Sequence, residues 1–163
     1  MSADPSGEAI LVVDDDPVEA ELITRAFRKA GFGNLVRVAA GCDKAKSYLR
    51  GDGLHADREK FPLPRLMILD HGMAGETGRE VLKWVRQNAA LRNLVVIVFS
   101  GSDDPDVEQQ ALRLGANGYH KKPQNWEEYE AILRSLGELW LRGPQRGFGL
   151  PPGAPPSMAP GSE

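Results

Sequence analysis

The sequence predicts a doubly wound α/β domain, in which a parallel sheet of five strands is covered by helices on both faces. Two observations carry that expectation. Short runs such as Glu8-Ala9-Ile10-Leu11-Val12-Val13 and Leu94-Val95-Val96-Ile97-Val98-Phe99 are apolar but for the leading Glu8, as strands buried on both faces are. Between such runs stand segments whose apolar residues recur at helical spacing, each with one stripe to bury against a sheet.

The elements follow in order. The first run ends in Asp14-Asp15-Asp16-Pro17, a polar loop whose proline suits a first helical turn because its missing N–H is not needed there. Asp16 stands where a side chain can cap that helix. Leu22, Ile23, Ala26, Phe27 and Ala30 then form one apolar face, and Gly31 supplies the stop. Leu35 to Ala39 reads as a second strand and Asp43 to Leu49 as a helix, followed by a Gly-, Asp- and Pro-containing loop from Gly51 to Pro64. Leu66 to Leu69 is the third strand and ends at Asp70, before a Gly-rich loop and a helix over Arg79 to Gln87. Leu94 to Phe99 ends at Ser100, and Val107, Ala111, Leu112 and Leu114 mark the fourth helix, which stops at Gly115. A short strand at Asn117 to His120 precedes Lys121-Lys122-Pro123 and a last helix from Trp126 to Leu141.

Bulk properties narrow the function classes. A chain of 163 residues accommodates one domain with a real core. Residues 8–142 form that domain, and 143–163, rich in Gly, Pro and Ala with no apolar period, read as a disordered tail. Net charge is -3 without a basic block, so no DNA-binding footprint is expected. The single cysteine, Cys42, has no second cysteine to bond within the chain, and no signal-peptide pattern opens it; a cytoplasmic protein is expected. No apolar run reaches the length of a membrane span.

In a sheet of this kind the reactive end lies outside the carboxyl ends of the strands, near the point where strand order reverses. Asp14, Asp15 and Asp16 follow strand one, Asp70 ends strand three, Ser100 ends strand four, and Lys122 follows strand five. Crowded carboxylates repel one another unless a cation sits among them. Magnesium fits such a set, since it takes hard oxygen ligands and keeps waters that a phosphate can displace. An aspartate can act as a nucleophile toward phosphorus when metal, ammonium and hydroxyl donors neutralise the transferred group. Asp70 is the candidate nucleophile. Lys122 would supply a point charge, Ser100 a hydroxyl, and the backbone N–H groups from Gly72 to Gly75 further donors.

These landmarks together resemble the receiver domains of response regulators, over about Ala9 to Leu141. The acidic pair falls on Asp14-Asp15 of Val-Val-Asp-Asp-Asp, the acceptor on Asp70 of Ile-Leu-Asp-His-Gly-Met-Ala-Gly, the hydroxyl on Ser100, and the lysine on Lys122 before Pro123. Asp70 to Ser100 spans 30 residues and Ser100 to Lys122 spans 22, the family's usual intervals. The resemblance implies the flavodoxin-like receiver fold with strand order 2-1-3-4-5. It also implies a phosphoryl group accepted on Asp70 from a histidine kinase, and a magnesium ion held by Asp15, Asp70 and the Gly72 carbonyl, with Asp14 acting through water. Ser100 and Tyr119 would be the switch pair, and Pro123 would follow a cis peptide bond. The long loop from Tyr48 to Pro64 is similar to that of small response regulators paired with phytochrome-type photoreceptor kinases, which carry a receiver alone.

Some features depart from the family pattern. Ala74 replaces a usual proline, so the loop after Asp70 should be less rigid; Gly101 should leave the phosphoryl site open and the phosphoryl group short-lived; Ser100 stands for threonine and keeps the donor. His55, His71 and His120 form no metal-ligand spacing with Cys42. Trp126, Tyr129, Leu133, Leu136 and Trp140 form a stripe on the last helix that packs on the sheet, while Ile132 and Leu139 widen it enough to raise a possible homodimer. The leading function is a phospho-switched module acting on a downstream protein, the alternative a phosphate sink in a relay. A magnesium-dependent phosphohydrolase is disfavoured because Gly72 stands where such an enzyme of the haloacid dehalogenase type needs a second carboxylate. A nucleotide-binding domain lacks its Gly-rich fingerprint after the first strand.

Overall fold

A computed structural model describes residues 9–32, 36–73 and 77–141. The expected domain ends at Glu8 and Arg142, the tail, Leu35, Ala74 and Gly75 lie outside the described residues. Five strands alternate with five helices: β1 Ile10–Val13, α1 Pro17–Lys29, β2 Val36–Ala39, α2 Cys42–Arg50, β3 Leu66–Asp70, α3 Gly78–Gln87, β4 Val95–Ser100, α4 Pro105–Arg113, β5 Gly118–Lys121 and α5 Trp126–Trp140. The strands pair in parallel in the order β2-β1-β3-β4-β5, as the resemblance implied.

Why the strands are apolar on both sides is plain from the two cores. Leu11, Val13, Met67, Leu69, Val96 and Val98 face α2, α3 and α4. Their neighbours Ile10, Val12, Leu66, Ile68, Ile97 and Phe99 face α1 and α5. Full burial of each such side chain is worth about 1.5–3 kcal/mol against exposure, so the sheet is anchored from both faces. The α5 stripe lies in the second core: Tyr129, Leu133, Leu136 and Trp140 are buried there, and Ile132 and Leu139 are partly covered. Among the described residues no helix is long and apolar enough to cross a membrane.

Asp16 does cap α1, its carboxylate accepting the Val18 N–H at 3.0 Å, with Pro17 at the helix start. The loop between α2 and β3 is more ordered than its composition suggests. It contains a 3-10 turn at Gly53–Ala56 and folds round Arg58, whose guanidinium donates to the carbonyls of Tyr48, Leu49 and Phe61 at 2.9, 2.9 and 3.0 Å. The Tyr48 hydroxyl closes the loop by donating to the Pro62 carbonyl at 2.9 Å. One expectation fails: no peptide bond among the described residues is cis, so Lys122–Pro123 is trans. An X-Pro bond prefers trans by about 0.5–1 kcal/mol, and Lys122 reaches its partners from that isomer.

Candidate functional site

Strand register brings the predicted residues to one end of the sheet. Val13 is level with Leu69 and Asp70 with Phe99, so the chain leaving β1 passes beside the end of β3. The backbone N–H of Asp14 donates to the Ala39 carbonyl at 3.1 Å, that of His71 to the Phe99 carbonyl at 2.9 Å, and that of Lys122 to the Ser100 carbonyl at 2.7 Å. These three bonds prolong the sheet by one residue where the functional side chains begin.

Among the described residues the buried polar side chains are Asp14, Asp70 and Ser100. A fold seldom buries two carboxylates without a use for them, because each charge loses hydration. Carboxylate oxygens of Asp14, Asp15 and Asp70 lie within 4.8 Å of one another, two buried and one exposed. Such a set of hard oxygen donors, open to solvent on one side, suits a divalent cation that keeps some of its waters. Burial, together with the charge of Asp70, pushes the Asp14 carboxyl up to about 7, although it accepts the Asp16 N–H. That proton affinity is what a bound cation would relieve.

Lys122 Nζ stands 3.0 Å from Asp70 Oδ1, with most of its side chain covered. Burial alone would lower its proton affinity, but the hydrogen bond and charge of Asp70, then Asp14 and Glu19, outweigh it and hold the ammonium above its ordinary value. Asp70 Oδ1 also accepts the Gly72 N–H at 3.2 Å. The Ser100 hydroxyl accepts the Ser102 N–H at 3.1 Å, which leaves its own proton to be offered elsewhere. Tyr119 is half-buried, and its hydroxyl donates to the Ser102 carbonyl at 3.5 Å. Ser102, which the sequence did not single out, therefore connects the two switch candidates. Apart from Gly101 itself and its two chain neighbours, no atom lies within 4 Å of where a Gly101 Cβ would stand, in keeping with an open site.

Sequence reasoning also missed Gly78. A Cβ on it would sit 2.6 Å from the Asp70 carbonyl oxygen and 3.0 Å from the His71 Cα, so the start of α3 can approach the end of β3 this closely only without a side chain. A glycine just after a Thr at a helix start was its only signal. His71 is half-buried, and burial, with Arg79 nearby, lowers its proton affinity.

The arrangement sets Asp70 beside the Lys122 ammonium and two further carboxylates within cation distance, with the buried Ser100 at the end of the neighbouring strand. Residues 10–134 match the model of the response regulator receiver domain. The probable methanogenesis regulatory protein FilR2 of Methanothrix harundinacea is 32% identical over 81% of this chain and 83% of its own. The phosphorylated cyanobacterial phytochrome response regulator RcpA superposes with a TM-score of 0.76 at 26% identity, over 89% of this chain and 98% of its own. Response regulator Rcp1 of Synechocystis is 25% identical over 82% of this chain and 89% of its own; its Mn2+-bound form superposes with a TM-score of 0.72, over 82% of this chain and 94% of its own. With the match spanning all five strands and the greater part of both cores, the chain belongs to the receiver-domain family of two-component response regulators.

Proposed function

We propose that this protein is a stand-alone response regulator that accepts a phosphoryl group on Asp70 from a histidine kinase in a magnesium-dependent reaction. The observation that carries the reading is the convergence of the buried Asp70, its 3.0 Å contact to Lys122, and two further carboxylates within cation distance. In the proposed reaction an Asp70 carboxylate oxygen attacks the phosphorus of a phosphohistidine. The P–N bond breaks, and its electron pair stays on the imidazole nitrogen. Asp15, Asp70 and the Gly72 carbonyl would hold the ion, with Asp14 acting through water; the ion would supply charge neutralisation for the transferred group. Lys122 would pair with one phosphoryl oxygen and the Ser100 hydroxyl would donate to another, drawing Ser100 inward and freeing room for the Tyr119 ring. The altered face would then bind a downstream protein. The protein would turn over no separate substrate, its own chemistry being limited to taking and losing the phosphoryl group.

The receiver reading is supported by a match that covers 89% of this chain and 98% of RcpA. A phytochrome-type photoreceptor kinase as donor is supported by the naming of RcpA as a phytochrome response regulator. We place the single domain at residues 8–142 and the protein in the cytoplasm, free of DNA. The burial of the α5 stripe in the core leaves a homodimer through that helix little apolar surface. The open space at Gly101 favours rapid loss of the phosphoryl group to water, and with it the reading as a phosphate sink.

Exposure to a small phosphodonor with and without magnesium, followed by intact-mass measurement, tests the central claim. The parent is expected to gain one phosphoryl group only with the metal, and Asp70→Asn none; equal gain in the variant would refute the assignment. Gly101→Thr is expected to lengthen the phosphoryl lifetime about tenfold by narrowing water's approach, an effect of about 1.4 kcal/mol on the barrier. An unchanged decay rate would show that access does not set the lifetime.

A further inference from the structure

We propose that a hollow on the loop between α2 and β3 is the docking site of this chain's own C-terminal tail, taking Phe148, Leu150 and the prolines that follow against Phe61 and Leu54. The hollow measures about 510 Å³ and is lined by Gly53, Leu54, Ala56, Asp57, Lys60 and Phe61. Leu54 is 69% exposed, so an apolar side chain of the lining stands largely in water. Phe61 is fixed in place: its ring meets those of His55 and Tyr48 edge-on, at 5.0 and 5.9 Å between centroids, and the Arg37 guanidinium lies 5.2 Å over it. Arg58 and the Tyr48 hydroxyl order the rest of the loop, so the hollow is preformed. A preformed, aromatic-lined hollow suits a proline-rich segment, which loses little entropy on binding.

Where the tail leaves the fold points to it as the occupant. Arg65 Nε donates to the Trp140 carbonyl at 2.8 Å, so the end of α5 adjoins the end of this loop. The four steps from Phe61 to Arg65 cover at most about 14 Å, whereas the seven from Leu141 to Phe148 reach up to about 25 Å and the nine to Leu150 up to about 32 Å. The hollow thus lies within the tail's reach. The tail carries Phe148, Leu150 and the pairs Pro151-Pro152 and Pro155-Pro156, with no apolar period from which to build a core of its own. Arg146, just before Phe148, is opposite in charge to Asp57 of the lining. The N-terminal segment leaves the same end of the sheet, since the Ala9 carbonyl accepts the Arg65 N–H at 2.9 Å, but Met1 is its only large apolar residue. A tether of this kind holds the tail near the hollow at a local concentration of about 1 mM, enough to populate a contact too weak to form between separate chains.

The test is the rate of chymotrypsin cleavage after Phe148 in the full chain, followed by intact mass, because a docked Phe148 is withheld from the protease and cleavage tracks the undocked fraction. Leu54→Ser removes apolar lining and Ala56→Arg fills the hollow; both positions are exposed, so neither change disturbs the cores. Leu112→Ser, an exposed leucine on α4, is the control for a general loosening of the fold. Both hollow variants are expected to be cut about two- to fivefold faster than the parent, and Leu112→Ser at the parent rate. The parent rate should stay the same between about 1 and about 100 µM protein, because the contact lies within one chain. Equal rates in the parent and both hollow variants, or an equal acceleration in Leu112→Ser, overturn the proposal. A parent rate that falls as protein concentration rises means that the tail sits on a second copy, and overturns it as well.

Discussion

Replacing Asp14 with Asn is expected to make the metal-free protein more stable and less able to hold a divalent cation. Most substitutions destabilise, so the expected sign is informative. The Asp14 carboxyl is buried, and burial with the charge of Asp70 raises it from 3.8 to about 7. Without solvent screening, a shift of that size corresponds to about 4 kcal/mol of unfavourable charge burial. Screening by solvent at the open end of the sheet reduces the net gain to about 1–2 kcal/mol, or about 3–8 °C in melting temperature. Asn retains the oxygen that accepts the Asp16 N–H, a 2.9 Å bond in the parent.

The pH dependence follows from the direction of the shift. A carboxyl whose folded value lies above its unfolded value binds more protons in the native state, so the parent loses stability as pH rises from about 4 to about 7. The advantage of the Asn variant should therefore be complete above about pH 7 and vanish toward pH 4. In magnesium the order should narrow or reverse, because loss of a supporting carboxylate weakens cation affinity about 10- to 100-fold. Thermal denaturation in chelator and in magnesium, at several pH values, measures both. A variant that melts below the parent in chelator at pH 8, or that gains as much from magnesium as the parent, would contradict this account of the site.

Much of this site was legible because its parts are strand-end residues. A buried strand announces itself by an unbroken apolar run, and the first polar residue after it must emerge at the end of the sheet; Asp14, Asp70 and Ser100 were placed by that rule, and all three prove buried. The Asp16 cap was legible for a similar reason, since capping is local and Pro17 marks the helix start. What escaped were contacts between residues distant in sequence. Glu19 meets Tyr129 across 110 positions, and nothing in the periodicity of α1 distinguishes its carboxylate from the exposed one of Glu21. Gly78 is demanded by a backbone approach that only three dimensions reveal. Arg58 looks like one more charge in a polar loop until its guanidinium is seen on three carbonyls. The trans bond before Pro123 failed to follow from the motif because so small an energy separates the two isomers.

Arg86 belongs with these, and its loss is expected to be among the most destabilising single changes outside the cores. It occupies the last turn of α3, where a sequence reader would assign it a solvated charge. Instead Nε donates to the Gly115 carbonyl at 2.9 Å, Nη1 to the carbonyls of Arg92 and Leu94 at 3.0 and 2.8 Å, and Nη2 to Asn117 Oδ1 at 2.8 Å. Asn117 Oδ1 also accepts the Val96 N–H at 2.8 Å. One guanidinium thus joins the entry of β4 to the turn before β5, the strands that carry Ser100 and Lys122. The turn is shaped around it: Gly115 has a φ of +107°, and a Cβ there would stand 2.9 Å from Arg86 Cγ. Hydrogen bonds from a charged donor contribute about 1.5–3 kcal/mol each and are not additive. Arg86→Ala, which strands several carbonyls together, is accordingly expected to cost about 3–4 kcal/mol. Arg86→Lys should recover less than half, because an ammonium on a flexible stem cannot span acceptors arranged for a planar fork. Denaturant titration of the three proteins measures this. A loss below about 1 kcal/mol in Arg86→Ala, or full recovery by Lys, would mean that water replaces the guanidinium cheaply. Because Arg86 touches neither Asp14 nor Asp15, cation affinity in Arg86→Lys should stay near the parent's while phosphorylation slows, separating the half of the site carried by β1 and β3 from the half carried by β4 and β5.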